Sequence, residues 1–319
     1  MRNPGLSGII TATKSIAGVV PPTPLLTFES GGKALFAKAE SLQPMGAFKL
    51  RGAWHRLTSM SDTERARGVV AFSSGNHAQG VAWAAKRLGI AATIVMPSDA
   101  PAAKLAGTRA LGAEVILYDR HTESREAIGA ALAKERGSTL VPSFDDPWVV
   151  EGQGSAGIEA SEQMAARGAE APDLIVTPCG GGGLASGLAL ACPDAAVVIV
   201  EPDHWDDMGR SLRAGEIVEV APDAPPTACD ALMTRRVADL TYGILKSRGA
   251  TGVSVSETEI EAAMRFAYST FRLVVEPGGA VALAAVLAGK VALTDRTLVI
   301  LSGGNVDPAD YAAVLGRGR

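Results

Sequence analysis

Alternation of strand-like and helix-like segments is the feature that most limits how this chain can fold. Short apolar runs of strand length are followed by Ala-rich helical runs, and the successive pairs fall at residues 69–74 and 77–88, 92–97 and 101–111, and 113–119 and 123–136. Gly89, Gly112 and Gly137 follow these helical runs, at positions typical of helix C-caps. Strand–helix–strand succession at this spacing predicts parallel strands connected by crossover helices.

A second set of α/β segments lies in the C-terminal half. Strand-like runs occupy residues 174–178, 196–201 and 297–301, and Ser256 with Glu259 has capping-box spacing that predicts a helix to about residue 271. At 319 residues the chain exceeds the usual size of one hydrophobic core. We therefore predict an α/β fold of two lobes, each built on a parallel sheet. The predicted small domain is residues 68–144, and the large domain is residues 1–67 and 145–319.

Composition excludes several classes of protein. Apolar residues make up 47% and charged residues 20%, as in soluble globular proteins, and the net charge of -4 gives no overall basic surface for nucleic acid. The apolar run at 279–289 is too short to cross a bilayer. The three cysteines form no CxxC pair, which indicates a reducing compartment; they are Cys179, Cys192 and Cys229. We expect a cytoplasmic enzyme without nucleic-acid or membrane partners.

Four consecutive glycines, at positions 180–183, follow one predicted strand and precede a predicted helix. Backbone amides without side chains can surround a phosphate there, and a helix N-terminus assists. Gly180, Gly182 and Ala185 also fit the loose GxGxxA form of a dinucleotide fingerprint, with Glu201 at the distance of a ribose-binding acid. A nicotinamide- or flavin-dependent oxidoreductase is therefore one interpretation of this loop.

Two further segments contain candidate reactive groups. Lys49 is flanked by Phe48 and Leu50, and burial of its amine would lower the pKa and make the amine a nucleophile; the alternative is a solvated surface lysine. The segment Ser73-Ser-Gly-Asn-His77 stands at a strand-to-helix junction, where amides and hydroxyls hold carboxylates. An ordinary N-cap explains this second segment equally well.

Six ordered motifs resemble those of one enzyme family, and they are SLQPMGAFKLRGA, SSGNHAQGVAWAA, EGQGSAGIE, GGGGLASG, VEPGGAVALAAVL and LSGGNVD. They occur in the order seen in fold-type II pyridoxal-phosphate enzymes, which have the tryptophan synthase β-like fold with the cofactor between two lobes. The resemblance extends from about Pro24 to Asp307. It is strongest to threonine/serine dehydratases and serine racemase.

The resemblance implies roles for individual residues. Lys49 would carry pyridoxal phosphate as a Schiff base, Phe48 would pack against the ring, and Asn76 would bond the ring's 3-oxygen. Ser302 would face the pyridine nitrogen with a neutral hydroxyl, which favours prompt loss of a β-leaving group. The phosphate would be held by the amides of Gly180, Gly181, Gly182, Gly183 and Leu184.

The resemblance also implies where the substrate binds. Its carboxylate would be held by Ser73, Ser74, Gly75, Asn76 and His77. Ser74 also matches the serine that racemases of this family use as acid/base on the face opposite the lysine. Arg125 is similar to an arginine that approaches a substrate carboxyl group, and it would favour dicarboxylic substrates such as 3-hydroxyaspartate. A solvated surface arginine is an equally good interpretation.

The implied activity is that of a lyase. We predict a dehydratase that eliminates water from a β-hydroxy amino acid such as L-threonine or L-serine, giving a 2-oxo acid and ammonia. An amino-acid (serine) racemase or a 3-hydroxyaspartate dehydratase is the alternative within the family, and a homodimer is expected from the resemblance. Met45 and Ala47 replace hydroxyl residues common beside the lysine, so a relative that only binds ligand stays open. Ala231 replaces a usual glycine near the cofactor, in a stretch whose changes could alter the choice of substrate.

An acidic loop resembles the divalent-metal site of serine racemase-like members. In those proteins an acid, a carbonyl four residues on and an acid six residues on hold Mg²⁺ or Mn²⁺, and oxygen ligands suit such ions. Glu201, the Trp205 carbonyl and Asp207 match this spacing. An acidic surface turn is the alternative.

Overall fold

Six strands form the larger of two sheets. The computed structural model describes residues 2–73, 75–100 and 102–317. The strands of this sheet are Leu25–Ser30 (β1), Lys33–Ala39 (β2), Leu174–Pro178 (β7), Ala196–Pro202 (β8), Thr251–Val255 (β9) and Thr297–Leu301 (β10). Their spatial order is β1-β2-β10-β7-β8-β9, and every neighbouring pair except β1 with β2 is parallel.

The smaller sheet has four strands, all parallel. They are Val69–Phe72 (β3), Ala92–Pro97 (β4), Glu114–Tyr118 (β5) and Thr139–Leu140 (β6), in the spatial order β5-β4-β3-β6. The prediction of two parallel-sheet α/β lobes is therefore confirmed. Gly89 and Gly137 end their helices in the left-handed conformation, as the sequence indicated.

Helices cover both sheets. Their bounds are Leu6–Ile16 (α1), Lys49–Thr58 (α2), Asp62–Arg67 (α3), Asn76–Leu88 (α4), Ala102–Ala110 (α5), Arg125–Arg136 (α6), Pro147–Ala165 (α7), Gly183–Ala191 (α8), Asp207–Ala214 (α9), Asp239–Ser247 (α10), Glu257–Phe266 (α11), Pro277–Leu287 (α12) and Pro308–Gly316 (α13). Ser256 and Glu259 form the predicted capping box, although α11 passes into a π-helical turn, Ala267–Phe271, earlier than expected. No helix in the described part of the chain has the length and apolar character needed to span a membrane.

The antiparallel hairpin β1–β2 was not predicted. Gly31 and Gly32 form its two-residue turn, and both have positive φ, of 57° and 74°. A tight turn between antiparallel strands favours this conformation, which glycine adopts without strain. Lys38 alternates with apolar neighbours in β2, yet its side chain is fully buried because α7 lies against it, where Glu159 and Gln163 accept hydrogen bonds from its ammonium.

Close glycine contacts join three helices behind the large sheet. A Cβ on Gly152 of α7 would lie 2.5 Å from Gly52 Cα of α2, and a Cβ on Gly187 of α8 would lie 2.4 Å from Val150 O of α7. The helix backbones therefore approach each other more closely than any side chain permits. Helix α2 also shares an apolar core with β3, β4 and α4, so it links the two sheets. The domain boundary at residues 67–68 stays a prediction.

Candidate active site

Lys49 is the first residue of α2, and its amine lies in a cavity between the two sheets. The Nζ atom donates a hydrogen bond to the Ser143 carbonyl at 3.0 Å and lies 5.0 Å from the centre of the Phe48 ring. Burial lowers the pKa of Lys49 to about 8, although the negative charge of Glu276 opposes this shift. A substantial fraction of the amine is therefore neutral near physiological pH, as a nucleophile or base requires.

The four glycines form a tight loop between β7 and α8. A Cβ on Gly181 would lie 2.1 Å from Phe144 Cδ1, and Gly182 has a φ of 86°. Side chains are therefore excluded, and the first amides of α8 are directed into the loop as in anion-binding helix termini. The cavity here is lined by Phe48, Lys49, Asn76, Gly180, Gly181, Gly182, Gly183, Leu184, Glu276 and Ser302. The structure thus brings together every residue predicted to bind the cofactor.

Glu276, which sequence reasoning did not single out, organises the polar side of this cavity. Asn76 Nδ2 donates to Glu276 Oε1 at 2.6 Å, and Asn305 Nδ2 donates to Asn76 Oδ1 at 2.8 Å. A Cβ on Gly303 would lie 2.0 Å from Glu276 Oε1, so glycine here leaves room for this carboxylate. Burial, followed by the charge of Asp230, raises the pKa of Glu276 to about 7. The available sequence signal was its place in VEPGGAVALAAVL, directly before Pro277 of α12.

A buried ionic network fixes the helix that carries Lys49. Arg51 pairs with Glu40 through two hydrogen bonds of 2.8 Å and with Glu159 at 2.9 Å, and Lys38 pairs with the same Glu159. Burial alone would raise the pKa of Glu40, but the charge and hydrogen bonds of Arg51 bring it down to about 2. Because opposite charges surround each member, the network keeps the N-terminus of α2 in one position.

The segment predicted to bind the substrate carboxylate lies at the N-terminus of α4. Ser73, Gly75, Asn76 and His77 line a second cavity that adjoins Lys49, and Ser74 lies outside the described residues. His77 Nε2 lies 2.9 Å from the Val141 carbonyl, so this nitrogen carries the proton. Burial and then the charge of Lys49 lower the pKa of His77 to about 3. His77 is therefore neutral, and its backbone amide rather than its ring suits a carboxylate.

Arg125 contributes to the same second cavity. It is the first residue of α6, lies 5.8 Å from the Phe72 ring centre and pairs with Glu126 at 2.8 Å. Ala231 lines both cavities, where the expected glycine would leave more space. Arg235 and Arg236 are exposed, and Arg236 pairs with Glu219 and Asp239 on the surface.

The two predicted metal-binding acids are buried. Glu201, at the end of β8, accepts hydrogen bonds from the amides of Met208 at 3.0 Å and Gly209 at 2.8 Å. Neither side-chain oxygen of Asp207 has a hydrogen-bond partner among the described residues. Burial raises the pKa of Glu201 well above its usual range and that of Asp207 to about 7. A cation would satisfy both carboxylates.

The donor set around this loop is small. Within the described ranges, no group of three or more His, Cys, Asp or Glu side chains is placed to hold a metal ion. Trp205 is buried, and its Nε1 donates to the Pro225 carbonyl at 2.8 Å. A metal here would therefore need the Trp205 carbonyl and water to complete its ligands.

These features define a class of enzyme that uses a lysine-linked phosphate cofactor between two α/β lobes. Residues 16–303 match the family described as pyridoxal-phosphate dependent enzyme. The chain belongs to this family, in its fold-type II branch, and the dinucleotide interpretation of the glycine loop is not supported.

Three similar proteins show how widely the likeness extends. The chain is 42% identical to an L-threo-3-hydroxyaspartate ammonia-lyase of Pseudomonas sp., covering 96% of this chain and 97% of that protein. It is 37% identical to an L-threonine ammonia-lyase of Thermotoga maritima, covering 98% and 78%. The structure of maize serine racemase superposes with a TM-score of 0.90 at 34% identity, covering 99% and 98%.

The lowered pKa of Lys49 predicts how cofactor binding depends on pH. We expect the apo-enzyme to take up pyridoxal phosphate faster as the pH rises to about 8 and then to level off, because only the neutral amine attacks. Glu276→Gln removes the charge that raises the Lys49 pKa but keeps an oxygen for Asn76, so its profile should shift to lower pH. Absorbance-monitored uptake at several pH values measures this. A shift to higher pH would contradict the electrostatic assignment.

Proposed function

We propose that the protein is a pyridoxal-phosphate-dependent ammonia-lyase that eliminates water from a β-hydroxy amino acid such as L-threonine or L-serine, giving a 2-oxo acid and ammonia. One observation carries the proposal. The amine of Lys49, with its lowered pKa, lies where the cavity of the glycine loop meets the cavity at the N-terminus of α4. A group held between those two anion-binding helix ends can exchange a proton with Lys49.

The residues of the first cavity fit the cofactor. The glycine loop, in which a Cβ on Gly181 or Gly182 would clash with a neighbouring side chain, suits the phosphate. One N–H of Asn76 Nδ2 is still available beyond the bond to Glu276 for the ring oxygen. Ser302 lines the same cavity and would offer a hydroxyl to the ring nitrogen. Pyridoxal phosphate, when bound, supplies a conjugated ring that delocalises the negative charge left by removal of the α-proton.

The substrate would be positioned by the second cavity. Ser73 and the first amides of α4 would hold the α-carboxylate, and Lys49 would remove the α-proton. The β-hydroxyl then leaves as water, and a later addition of water releases the 2-oxo acid and ammonia. Ser74 stays predicted as the acid/base on the opposite face, where proton return would give racemisation instead of elimination.

A second candidate substrate is 3-hydroxyaspartate. Arg125 lies in the wall of the substrate cavity, and a guanidinium binds a carboxylate with two parallel hydrogen bonds. The Pseudomonas relative bears the name of an ammonia-lyase for L-threo-3-hydroxyaspartate. These two observations favour a dicarboxylic substrate beside the simple hydroxy amino acids.

The deciding experiment measures 2-oxo acid release by the cofactor-loaded protein. The L- and D-forms of serine, threonine and 3-hydroxyaspartate are supplied separately, and loss of optical activity is followed in parallel. We expect release from at least one L-β-hydroxy amino acid. Loss of optical activity without 2-oxo acid would identify a racemase, and neither change with any substrate would contradict the proposal.

We propose Mg²⁺ or Mn²⁺ as a second cofactor, held by Glu201, the Trp205 carbonyl and Asp207. The support is the burial of two carboxylates whose charges lack a cationic partner at hydrogen-bond distance within the described residues. We expect either ion to raise the thermal midpoint of chelator-treated protein. The corresponding gain in the free energy of unfolding is about 3 kcal/mol when the free ion is about 100-fold above its Kd. Asp207→Asn should abolish the rise, whereas Asp206→Asn, next to it, should keep it. No rise in the wild type would contradict the site.

We also propose a cytoplasmic location, on the basis of the composition and cysteine usage, and assembly as a homodimer, on the basis of the family resemblance. The cysteines Cys179, Cys192 and Cys229 are buried thiols, in keeping with a reducing compartment. Sedimentation of the purified holoenzyme tests the assembly.

A further inference from the structure

An ion pair joins the two lobes beside Lys49. Lys104 lies on α5, next to the small sheet, and Asp230 lies on a 3₁₀ turn, Asp230–Leu232, that packs on α12 beside the large sheet. Lys104 Nζ is 2.5 Å from Asp230 Oδ2. Both residues line the substrate cavity, and both also line a larger cavity of about 610 Å³ that contains neither Lys49 nor the glycine loop. The ion pair therefore separates the two cavities.

The ammonium of Lys104 lies against the loop that would hold the substrate carboxylate. A Cβ added to Gly75 would lie 3.6 Å from Lys104 Nζ. The Lys104 side chain is only 16% exposed, whereas Asp230 is 48% exposed. Lys104 is therefore partly buried, and pairing with a carboxylate offsets the cost of withdrawing part of its side chain from water. The partner in this structure, Asp230, is the member that can turn to solvent.

Among the described residues that line the substrate cavity, Arg125 is also a cation, but its surroundings differ from those of Lys104. Its side chain is 35% exposed, and its partner Glu126 is the next residue in the chain and 58% exposed. Such an exposed local pair contributes little energy and places little demand on a ligand. The Lys104 pair is more buried and joins segments that are distant in the sequence.

We propose, on the basis of the proposed lyase function, that Lys104 binds the side-chain carboxylate of a dicarboxylic β-hydroxy amino acid, which takes the place of the Asp230 carboxylate. The exchange keeps the partly buried ammonium paired, because one N–H···O⁻ bond replaces another of the same kind. A substrate with one carboxylate, such as L-serine, leaves the Lys104–Asp230 pair in place. The pair therefore sets the preference between the two kinds of substrate.

The test compares kcat/KM for L-threo-3-hydroxyaspartate with kcat/KM for L-serine. In Lys104→Met this ratio should fall by about 10- to 100-fold, the usual cost of losing one charge-assisted hydrogen bond. In Asp230→Asn the ratio should rise, because the substrate no longer competes with a charged carboxylate. Lys134→Met, which changes an exposed lysine of the same lobe, should keep the wild-type ratio.

A binding measurement gives a readout that does not require elimination. L-Aspartate and L-alanine lack the β-hydroxyl, and they differ in the side-chain carboxylate. We expect L-aspartate to raise the thermal midpoint of the wild-type holoenzyme more than L-alanine does. Lys104→Met should remove this difference.

Several outcomes would overturn the proposal. One is an unchanged ratio of the two kcat/KM values in Lys104→Met, whether or not this ratio changes in Arg125→Met. Another is an equal loss of kcat/KM for both substrates in Lys104→Met, which would assign Lys104 to the α-carboxylate that both substrates share. A wild type that acts on L-serine but not on 3-hydroxyaspartate would also overturn it. Failure of the lyase function itself is distinguishable, because the wild type would then release 2-oxo acid from neither substrate while the aspartate–alanine comparison still tests Lys104.

Discussion

Lys49→Ala is expected to lower 2-oxo acid release by roughly 10³-fold or more, since it removes the amine that we propose both binds the cofactor and takes the α-proton. The variant should also lose the visible colour that borohydride bleaches in the wild type. Spectra before and after borohydride, together with initial rates on the best substrate, measure both effects. Lys134→Ala, on the exposed face of α6, is the matched control and should keep the wild-type colour and rate.

Loss of activity in Lys49→Ala would not reflect unfolding. The folded-state pKa of Lys49, about 8, lies below the ordinary lysine value of 10.5. The charged lysine therefore destabilises the apo-protein below pH 8, and this cost fades as the pH rises toward 10.5. Removing the amine should therefore leave the apo-protein at least as stable at pH 7. A coloured, borohydride-sensitive Lys49→Ala protein would assign the cofactor to another lysine.

The second large effect is on stability. Gly187→Ala is expected to lower the free energy of unfolding by about 3 kcal/mol, because the new Cβ would lie 2.4 Å from Val150 O and 2.5 Å from Gly154 N. These neighbours are backbone atoms of α7, so they cannot rotate away as a side chain would. Relief requires α8 to move, and α8 begins at Gly183 of the glycine loop. The variant should consequently bind pyridoxal phosphate more weakly as well.

Gly243→Ala is the matched control for this stability effect. Gly243 lies within α10, and no described atom beyond its own helix and chain neighbours lies within 4 Å of an added Cβ. Its replacement should stabilise the protein by about 0.5–1 kcal/mol, since alanine favours the helix and restricts the unfolded chain. Urea denaturation of both holoenzyme variants gives the two values. Similar stability for Gly187→Ala and Gly243→Ala would show that the α7–α8 contact is not tight.

Much of the small sheet could be predicted because its signals are local. In β3, β4 and β5 the apolar run that forms the strand is directly followed by a helix or a turn, and glycines mark the helix ends. The β1–β2 hairpin was missed because Lys33 and Lys38 interrupt its apolar pattern. Lys38 is buried only because Glu159, from α7, is placed beside it by the tertiary fold.

The candidate site divides in the same way. The residues predicted to bind the cofactor line one cavity, and they could be named because Lys49 and the glycine loop each stand in a recognisable local segment. Glu276 was missed because a carboxylate before a proline in the sequence is typical of an exposed helix start. Its bond to Asn76 joins residues 200 positions apart.

The amino-acid sequence by itself determined the α/β class and the glycine loop and singled out Lys49 as the candidate reactive lysine, because each depends on backbone conformation and on residues that are neighbours in the chain. Only the tertiary structure decided which charges meet. Lys104 and Asp230 are 126 positions apart, and each in isolation is an ordinary charged residue near the start of a helical segment. The folding of the two lobes partly buries Lys104 and places it against Asp230 in the wall of the substrate cavity, and this pairing turns a common lysine into a candidate determinant of specificity.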